Sequence, residues 1–361
     1  MQERVDLSAL DREQLREFCN TMDLKRYRAD QIFQWIHLKN AASFDEMTNL
    51  PKELRIELHD KARLRRALPD TTNKSGDGTL KRLFRLHDDK LVEAVLIPEF
   101  FDDGVADRLT VCVSSQVGCV FGCSFCATGK MGLFRNLTIG EITGQVLSIN
   151  ALAEKYYQKR ITNVVYMGMG EPFHNYGPVV ESAAILCDSK GLNLSPKRVT
   201  ISTVGLTRQI HQYADEQQPF NLAISLHAAD DEKRTRIMPI NKNLDLSALR
   251  KALERYYKTS GAGVTYEYIL FDHFNDHPED ARKLARIAKW IPSKINVIMY
   301  NNVDGVALER AREHRLDSFM AELHRLQVRA TVRRSRGDDI DAGCGQLATK
   351  EQSGTGKTMA R

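Results

Sequence analysis

Six short apolar runs alternate with longer helical stretches over most of the chain after residue 109. The helical stretch at 138–152 begins with a Thr138-x-x-Glu141 capping box, which is typical of a helix N-terminus. Such alternation favours an α/β fold with a parallel sheet, because parallel neighbours need a crossover connection that helices supply. The sheet is either doubly wound or curled into a partial barrel, and both architectures place ligands at the carboxyl ends of their strands. The predicted strands lie at 109–113, 162–167, 198–203, 220–226, 264–271 and 295–300.

The residues before this alternation form a different pattern. Up to about residue 70 the chain is predicted to be all-helical, and Ile32 and Ile36, for example, share one helical face. The polar cluster Thr71–Gly78 predicts a linker or turn. The apolar runs Leu80–Leu86 and Leu91–Ile97 then predict a β-hairpin.

Composition places the chain among ordinary globular proteins. Of its 361 residues, 42% are apolar and 27% are charged, so it can bury a full core. No apolar run approaches the roughly 18 residues that a membrane helix needs, and the first residues lack the features of a signal peptide, so we expect a cytoplasmic protein without a membrane partner. The net charge of +5 is mildly suggestive of a polyanionic partner.

The seven cysteines point to metal or redox chemistry, because an odd number in a long cytosolic chain argues against a disulfide framework. Three of them, Cys119, Cys123 and Cys126, form a C-x3-C-x2-C motif directly after the first predicted strand. Three thiolates can hold three irons of a 4Fe–4S cluster and leave the fourth iron open. The alternative is a structural zinc site, which needs a fourth ligand close by. Zinc is less favoured, since no histidine lies within ten residues on either side and Cys112 is seven residues upstream.

Two further segments carry candidate chemistry. Tyr166-Met-Gly-Met-Gly-Glu-Pro172 ends the second strand, and alone it is more often a tight turn than a site. Cys344, flanked by glycines in a polar loop, is predicted to be accessible and is a plausible nucleophile. Cys112, taken alone, has the pattern of a small core residue, and Cys19 and Cys187 are also predicted to be core.

The cysteine motif resembles that of the radical S-adenosylmethionine (SAM) superfamily, and the Gly-Met-Gly-Glu segment resembles its SAM amino-binding segment. Together with several other motifs, these two segments make the chain resemble the RlmN-type dual-specificity RNA methyltransferases of the RlmN/Cfr family over about residues 7–347. The N-terminal segment Tyr27–Trp35 is part of this resemblance. The other matching segments are Thr110–Cys119, Phe134–Thr138, Met167–Pro172, Ser225–Ala228 and Arg336–Leu347.

The resemblance implies a radical SAM partial (βα)6 barrel with a small N-terminal helical RNA-binding domain. The implied divisions are an accessory domain at 1–72, a β-hairpin connector at 79–100, a radical SAM core at 105–335, a catalytic-cysteine loop at 336–348 and a disordered tail at 349–361.

The family methylates C2 of adenosine 2503 in 23S rRNA and of adenosine 37 in certain tRNAs, using two SAM molecules per turnover. The resemblance implies that Cys344 carries the methyl group as S-methylcysteine and forms a transient protein–RNA thioether. Cys112 would then close a disulfide with Cys344, and Glu93 would be the proton acceptor. It also implies an electron donor such as flavodoxin and a monomeric enzyme. The implied SAM contacts are Gly170, Glu171, Ser202, Ser225, Leu226, His227 and Asn301, although His227 alone would be interpreted as a core or capping residue.

Two alternatives stay open at this point. The first is Cfr-type C8 methylation of the same rRNA adenosine, which confers antibiotic resistance and uses the same cysteine pair. The second is a non-catalytic zinc or iron–sulfur RNA-binding module, in which Cys112 and Cys344 would be dispensable and SAM would not bind.

Overall fold

A ten-stranded mixed sheet organises the chain in the computed structural model, which describes residues 4–102 and 104–348. Two pairs of short strands lie outside this sheet. The strands of the described residues are β1 (Val5–Asp6), β2 (Ala62–Arg63), β3 (Leu68–Lys74), β4 (Leu80–Arg85), β5 (Leu91–Phe100), β6 (Ala106–Cys112), β7 (Gln116–Gly118), β8 (Leu133–Asn136), β9 (Asn163–Tyr166), β10 (Val199–Thr203), β11 (Asn221–Ser225), β12 (Val264–Leu270), β13 (Ser293–Met299) and β14 (Ala330–Arg333).

The order of strands in the large sheet is β14-β13-β12-β11-β10-β9-β6-β5-β4-β3. The strands from β14 to β6 run parallel, whereas β5, β4 and β3 continue the sheet in antiparallel fashion. All six predicted strands are present, as β6 and β9 to β13, so the predicted α/β fold with a parallel sheet is confirmed. The seventh parallel strand, β14, was not predicted, because Ala330-Thr-Val-Arg333 is short and largely exposed and lacks an apolar run.

Helices connect the parallel strands, and the longest of them begins at the residue that its cap predicts. The helix after β8 starts with the predicted capping box, in which the Thr138 side chain accepts from the Glu141 N–H and the Glu141 carboxylate accepts from the Thr138 N–H. The helices of the described residues are α1 (Arg12–Thr21), α2 (Tyr27–His37), α3 (Lys52–Lys61), α4 (Ala127–Lys130), α5 (Ile139–Tyr157), α6 (Tyr176–Cys187), α7 (Thr207–Asp215), α8 (Asp231–Ile237), α9 (Leu246–Ser260), α10 (Pro278–Ala288) and α11 (Glu313–Arg325).

The parallel strands curl around a polar cavity of about 730 Å³. Glu99 on β5 and Arg108 on β6 line this cavity together with Thr331 and Arg333 on β14, although these strands lie far apart in the strand order. Strands from both ends of the parallel region can line one cavity only if the sheet bends around it. The sheet is therefore an open barrel, since β14 and β3 remain unpaired edges within the large sheet.

The N-terminal helices form a small core of their own. Leu15, Phe33 and Leu58 are fully buried in this core, and Ile139 and Ile185 from α5 and α6 join it. The helical prediction is confirmed up to Lys61, apart from the two-residue strand β1, which pairs in parallel with β2. It is wrong from 62 to 70, where the chain forms β2, a loop and the start of β3. The predicted domain boundary at residue 72 stays a prediction.

The turn predicted at Thr71–Gly78 was wrong in its first half. Residues up to Lys74 belong to β3, which pairs antiparallel with β4, and the chain turns only at 75–79. Because β3 is an edge strand exposed along its whole length, it has no apolar alternation by which sequence could reveal it. The predicted hairpin of β4 and β5 is confirmed, with β5 extending to Phe100. The tail predicted to be disordered, 349–361, lies outside the described residues, and among those described no helix is long and apolar enough to cross a bilayer.

Candidate active site

The C-x3-C-x2-C motif forms a loop between β7 and α4, beyond the carboxyl end of β6. Gly118 begins this loop with φ of +76°, and a β-carbon there would lie 1.8 Å from the carbonyl oxygen of Gly132, so only glycine fits. The Ser124 N–H donates to the Ile237 carbonyl at 2.9 Å, which fastens the loop to the end of α8. The local backbone therefore fixes the path on which the three cysteines lie.

Burial dominates the electrostatics of these thiols. It raises the pKa of Cys119 to about 12, raises the pKa of Cys123 well above its ordinary value, and raises the pKa of Cys126. A thiolate is thus disfavoured at each position unless a cation compensates it. Three soft sulfur donors on one buried loop fit an iron–sulfur cluster, whose binding converts thiols to thiolates.

A single metal ion makes a different demand on geometry. Within residues 4–102 and 104–348, no group of three or more His, Cys, Asp or Glu side chains surrounds a point that one ion could occupy. A 4Fe–4S cluster binds each of its cysteines through a different iron, so its ligands need not converge on one point.

The segment after β9 places a buried carboxylate beside the ends of two strands. Gly170 has φ of +96°, and a β-carbon there would lie 2.4 Å from that of Gln116. Glu171 accepts from the Phe173 N–H at 3.0 Å and the Val204 N–H at 2.9 Å. Burial raises the pKa of Glu171 to about 7. A carboxylate held by backbone donors in this position can accept a hydrogen bond from an amine.

Three other predicted SAM contacts, Ser202, Ser225 and Leu226, lie at the carboxyl ends of β10 and β11. The Ser202 hydroxyl donates to the Tyr166 carbonyl at 2.7 Å. Ser225 ends β11, and the Leu226 N–H donates to the Glu267 carbonyl at 3.0 Å. The three residues thus lie where this fold binds ligands.

His227 is a buried, neutral side chain next to the cysteine loop. Its Nδ1 accepts from the Ile269 N–H at 3.2 Å, so the ring proton is on Nε2. Burial lowers the pKa of His227 to about 3. The ring meets that of Phe125 edge-on at a centroid distance of 5.0 Å, and Phe125 lies between Cys123 and Cys126. His227 has φ of +56°, in the left-handed region that histidine adopts more readily than most other non-glycine residues.

Cys112 and Cys344 line the same cavity, together with Asn301 and Arg333. Cys112 is the last residue of β6 and is buried, as its sequence pattern predicts, but it also faces this cavity. Burial raises the pKa of Cys112 to about 12, and the Arg333 guanidinium acts in the opposite direction. The structure therefore brings together the two cysteines that the resemblance pairs.

The Cys344 loop lies directly on the cysteine motif. The Ala127 N–H donates to the Gly345 carbonyl at 2.8 Å, and the Thr128 hydroxyl donates to the Leu347 carbonyl at 2.5 Å. In the amide orientation that satisfies both of its ends, Asn301 accepts from the Cys344 N–H at 3.2 Å and donates to Asp338 Oδ1 at 3.0 Å. Asn301 is thus placed at the base of the Cys344 loop.

Glu93 lies on β5 and is buried, and Lys81 Nζ is 3.2 Å from its Oε1. Burial raises the pKa of Glu93, while the Lys81 charge lowers it. The Lys81 charge thus partly offsets the effect of burial on the Glu93 carboxyl.

Comparison with known proteins agrees with this geometry. Residues 5–64 match the family described as the ribosomal RNA large subunit methyltransferase N-terminal domain, and residues 113–285 match the radical SAM superfamily. The chain is 48% identical to a probable dual-specificity RNA methyltransferase RlmN of Salinibacter ruber, over 97% of this chain and 95% of that protein. It is 42% identical to the dual-specificity RNA methyltransferase RlmN of Pelobacter propionicus, over 97% of each chain.

A solved structure shares both the sequence and the fold. The crystal structure of a radical SAM methyltransferase from Sphaerobacter thermophilus superposes with a TM-score of 0.89 at 41% identity, covering 95% of this chain and 99% of that one. The chain belongs to the RlmN family of radical SAM methyltransferases. The predicted radical SAM fold with a helical N-terminal domain is confirmed.

The RlmN-family motifs predicted the cysteines but missed several side chains that hold the site together. Arg234 is 1% exposed, and it donates to the Val204 carbonyl at 2.7 Å and the Leu226 carbonyl at 3.2 Å, next to Glu171 and His227. Gln116 accepts from the Glu171 N–H at 2.8 Å. Arg234 lies in a run of charged residues that is typical of a solvated helix, so no local pattern indicates its burial.

Proposed function

We propose that this chain, an RNA methyltransferase of the RlmN family, methylates C2 of adenosine 2503 in 23S rRNA and of adenosine 37 in tRNAs. The observation that carries the proposal is the position of the Cys344 loop. It is hydrogen-bonded to the residues that follow Cys126, and Cys344 shares a cavity with Cys112. A methyl-carrying cysteine needs this proximity to the place where SAM is cleaved and to a second thiol.

The cysteine motif is suited to a 4Fe–4S cluster. Cys119, Cys123 and Cys126 would hold three irons, and SAM would occupy the fourth through its amino and carboxylate groups. When bound, the cluster supplies the electron for reductive cleavage of SAM. Glu171, held by two backbone donors, would accept from the SAM amino group. The remaining proposed SAM contacts are Gly170, Ser202, Ser225, Leu226, His227 and Asn301.

The chemistry needs a cysteine because C2 of adenine is not nucleophilic and cannot attack the SAM methyl group directly. In the proposal, Cys344 accepts the methyl group of a first SAM as S-methylcysteine. A second SAM, cleaved with one electron from the donor, would leave as methionine and 5′-deoxyadenosine after taking a hydrogen atom from that methyl group, and the Cys344 methylene would bond to C2. The C2 proton would pass to Glu93 and one electron would return to the electron carrier, which leaves a transient protein–RNA thioether. The Cys112 thiolate would then attack the Cys344 sulfur, so that a disulfide forms, the bond from that sulfur to the methylene carbon breaks, and this carbon takes up a proton to become the methyl group of the product.

The setting of the reaction is also part of the proposal. The N-terminal helices would contact folded 23S rRNA or tRNA, and a flavodoxin-type donor would supply electrons to a monomeric, cytoplasmic enzyme.

Nucleoside mass spectrometry tests the proposal. The protein is purified anaerobically, analysed for iron and sulfide, and incubated with rRNA fragments or tRNA, a reductant and methyl-labelled SAM. We expect labelled 2-methyladenosine, identified by its retention against 2-methyl- and 8-methyladenosine standards, and none with Cys344→Ala. Labelled 8-methyladenosine would instead establish the Cfr-type reaction, and unlabelled RNA with no SAM cleavage would indicate a binding module.

A further inference from the structure

Lys81 on β4 contacts two segments that the proposed reaction needs in one place. Its Nζ lies 3.2 Å from Oε1 of Glu93 and donates to the Asp341 carbonyl at 3.2 Å. The side chains of Lys81 and Glu93 are only 11% and 8% exposed, so solvent screens this ion pair weakly. One buried ammonium thus joins a carboxylate on the sheet to the loop that carries Cys344.

The sheet register aligns Lys81 with the reactive groups. Lys81 pairs with Val95 across β4 and β5, and Val95 pairs with Cys112 across β5 and β6. Directly paired residues share a face of a sheet, as do residues two apart on one strand. Lys81, Glu93 and Cys112 therefore lie on the same face.

The turn between β3 and β4 holds the same loop at two further points. The Gly337 N–H donates to Asp77 Oδ2 at 3.0 Å, and the Gly76 N–H donates to Asp339 Oδ2 at 3.2 Å. Together with the contact of Lys81 at Asp341, these bonds fasten residues 337–341 to β4 and to the turn before it. Cys344 follows three residues later, so the position of its loop depends on this attachment.

We propose that Lys81 is a positioning residue, which orients the Glu93 carboxylate and holds the Cys344 loop against the same face of the sheet. The proposal rests on the proposed function, because it assigns Lys81 a part in bringing the proton acceptor and the methyl carrier to one adenine.

The charges around Glu93 give this proposal a pH signature. The groups that act on Glu93 are Lys81 on β4, Asp341 on the Cys344 loop and the backbone of Ala348. Lys81 lowers the pKa of Glu93, whereas burial and Asp341 raise it. Loss of the Lys81 charge should raise the pKa further, and a base with a higher pKa is active only at higher pH.

The first experiment compares single-turnover methylation of RNA across pH for wild-type holoenzyme, Lys81→Gln and Lys81→Arg. The matched control is Lys283→Gln, which removes a partly buried lysine of α10 that pairs at 3.0 Å with Asp230, the N-cap residue of α8. We expect the acidic limb of the Lys81→Gln profile to move to higher pH by about one unit or more, the usual effect of one close opposite charge. Lys81→Arg should largely restore the wild-type limb, and Lys283→Gln should leave it in place. The proposal is overturned if the acidic limb of Lys81→Gln stays at the wild-type pH. It is also overturned if Lys81→Arg shows the same shift as Lys81→Gln.

The second experiment does not depend on activity. Hydrogen–deuterium exchange of the peptide covering 337–348 is measured anaerobically in the same four proteins. Lys81→Gln should speed exchange in this peptide, whereas Lys283→Gln should not. If wild-type protein makes no methyladenosine, the proposed function fails but this measurement still tests the loop attachment. If wild-type protein is active and Lys81→Gln exchanges like wild type, the positioning role is wrong.

Discussion

The backbone N–H of Ala127 donates to the carbonyl oxygen of Gly345 at 2.8 Å. Each of these residues directly follows a cysteine, Cys126 in the first case and Cys344 in the second. A second bond, from the Thr128 hydroxyl to the Leu347 carbonyl, joins the same two segments, and these two residues lie 219 positions apart in the chain. The cysteine motif and the Cys344 loop are therefore held together by bonds that involve no cysteine side chain, so substitutions of the cysteines should leave the arrangement intact.

The cysteine motif gives a direct prediction. If the three thiolates supply every protein ligand of the cluster, as we propose, replacing Cys119, Cys123 or Cys126 with alanine should remove most bound iron and abolish reductive formation of 5′-deoxyadenosine. Iron, sulfide and 5′-deoxyadenosine are measured after anaerobic purification. Cys187→Ala, on the partly buried end of α6, is the control and should retain all three. Formation of 5′-deoxyadenosine by the triple variant would show that the assignment is wrong.

The buried His37 predicts how stability depends on pH. Burial, with a smaller contribution from Arg66, lowers the pKa of His37 to about 3, whereas the unfolded chain has the ordinary value near 6.5. Between these values the unfolded chain binds more protons, so the free energy of unfolding is fully retained above about pH 6.5 and falls as the pH decreases. One group with this shift costs about 1.4 kcal/mol per pH unit inside that window.

His37→Leu should remove this contribution. Urea unfolding is followed through Trp35, two residues before His37 on α2, in a Trp290→Phe background that leaves one tryptophan. Between pH 7.5 and 5.5 the parent should lose about 1.4 kcal/mol more than His37→Leu. Between pH 7.5 and 8.5 the free energies of unfolding of the two proteins should change equally. If they also changed equally between pH 7.5 and 5.5, His37 would not be a buried neutral histidine.

The N-terminal helices should bind RNA partly through its phosphates. Lys25 and Arg26 are exposed at the start of α2, beside Tyr27, which is 50% exposed. Lys25→Gln/Arg26→Gln should weaken RNA affinity and reduce the slope of log K against log salt by about 0.7 to 0.9 for each phosphate that is no longer neutralised. Lys251→Gln/Lys258→Gln removes the same charge from the exposed face of α9 and should change neither quantity. If wild type and both double variants gave the same salt slope, Lys25 and Arg26 would not contact RNA phosphates.

The strands of the parallel sheet were predictable because they leave local patterns in the sequence. Apolar runs gave β6 and β9 to β13, and Thr138-x-x-Glu141 gave the start of α5. The exposed edge strand β3 left none.

Lys81 and Arg234 escaped prediction for a different reason. Each contacts partners that only the fold brings near, such as Asp341 for Lys81 and Val204 for Arg234. A buried charge with distant partners resembles a surface charge in the sequence, so its role emerges only from the three-dimensional structure.

The two cavity-lining cysteines should fail at different steps. If Cys344 carries the methyl group, Cys344→Ala should neither accept labelled methyl from SAM nor modify RNA. Cys112→Ala should still be methylated and should still begin the radical step, because the thiol at the end of β6 is needed only to release the product. Without that thiol the thioether cannot be resolved by disulfide formation, so the protein should accumulate covalently joined to RNA.

Denaturing electrophoresis shows the joined species as a slower band that nuclease digestion collapses. Cys19→Ala, which removes a buried thiol from α1, is the matched control and should give product without the band. The fold favours a clean separation, since Cys112 lies on a strand of the sheet and Cys344 on a loop held by separate contacts. Normal turnover by Cys112→Ala, with no such band, would rule out the two-cysteine mechanism and leave a radical SAM enzyme of different chemistry.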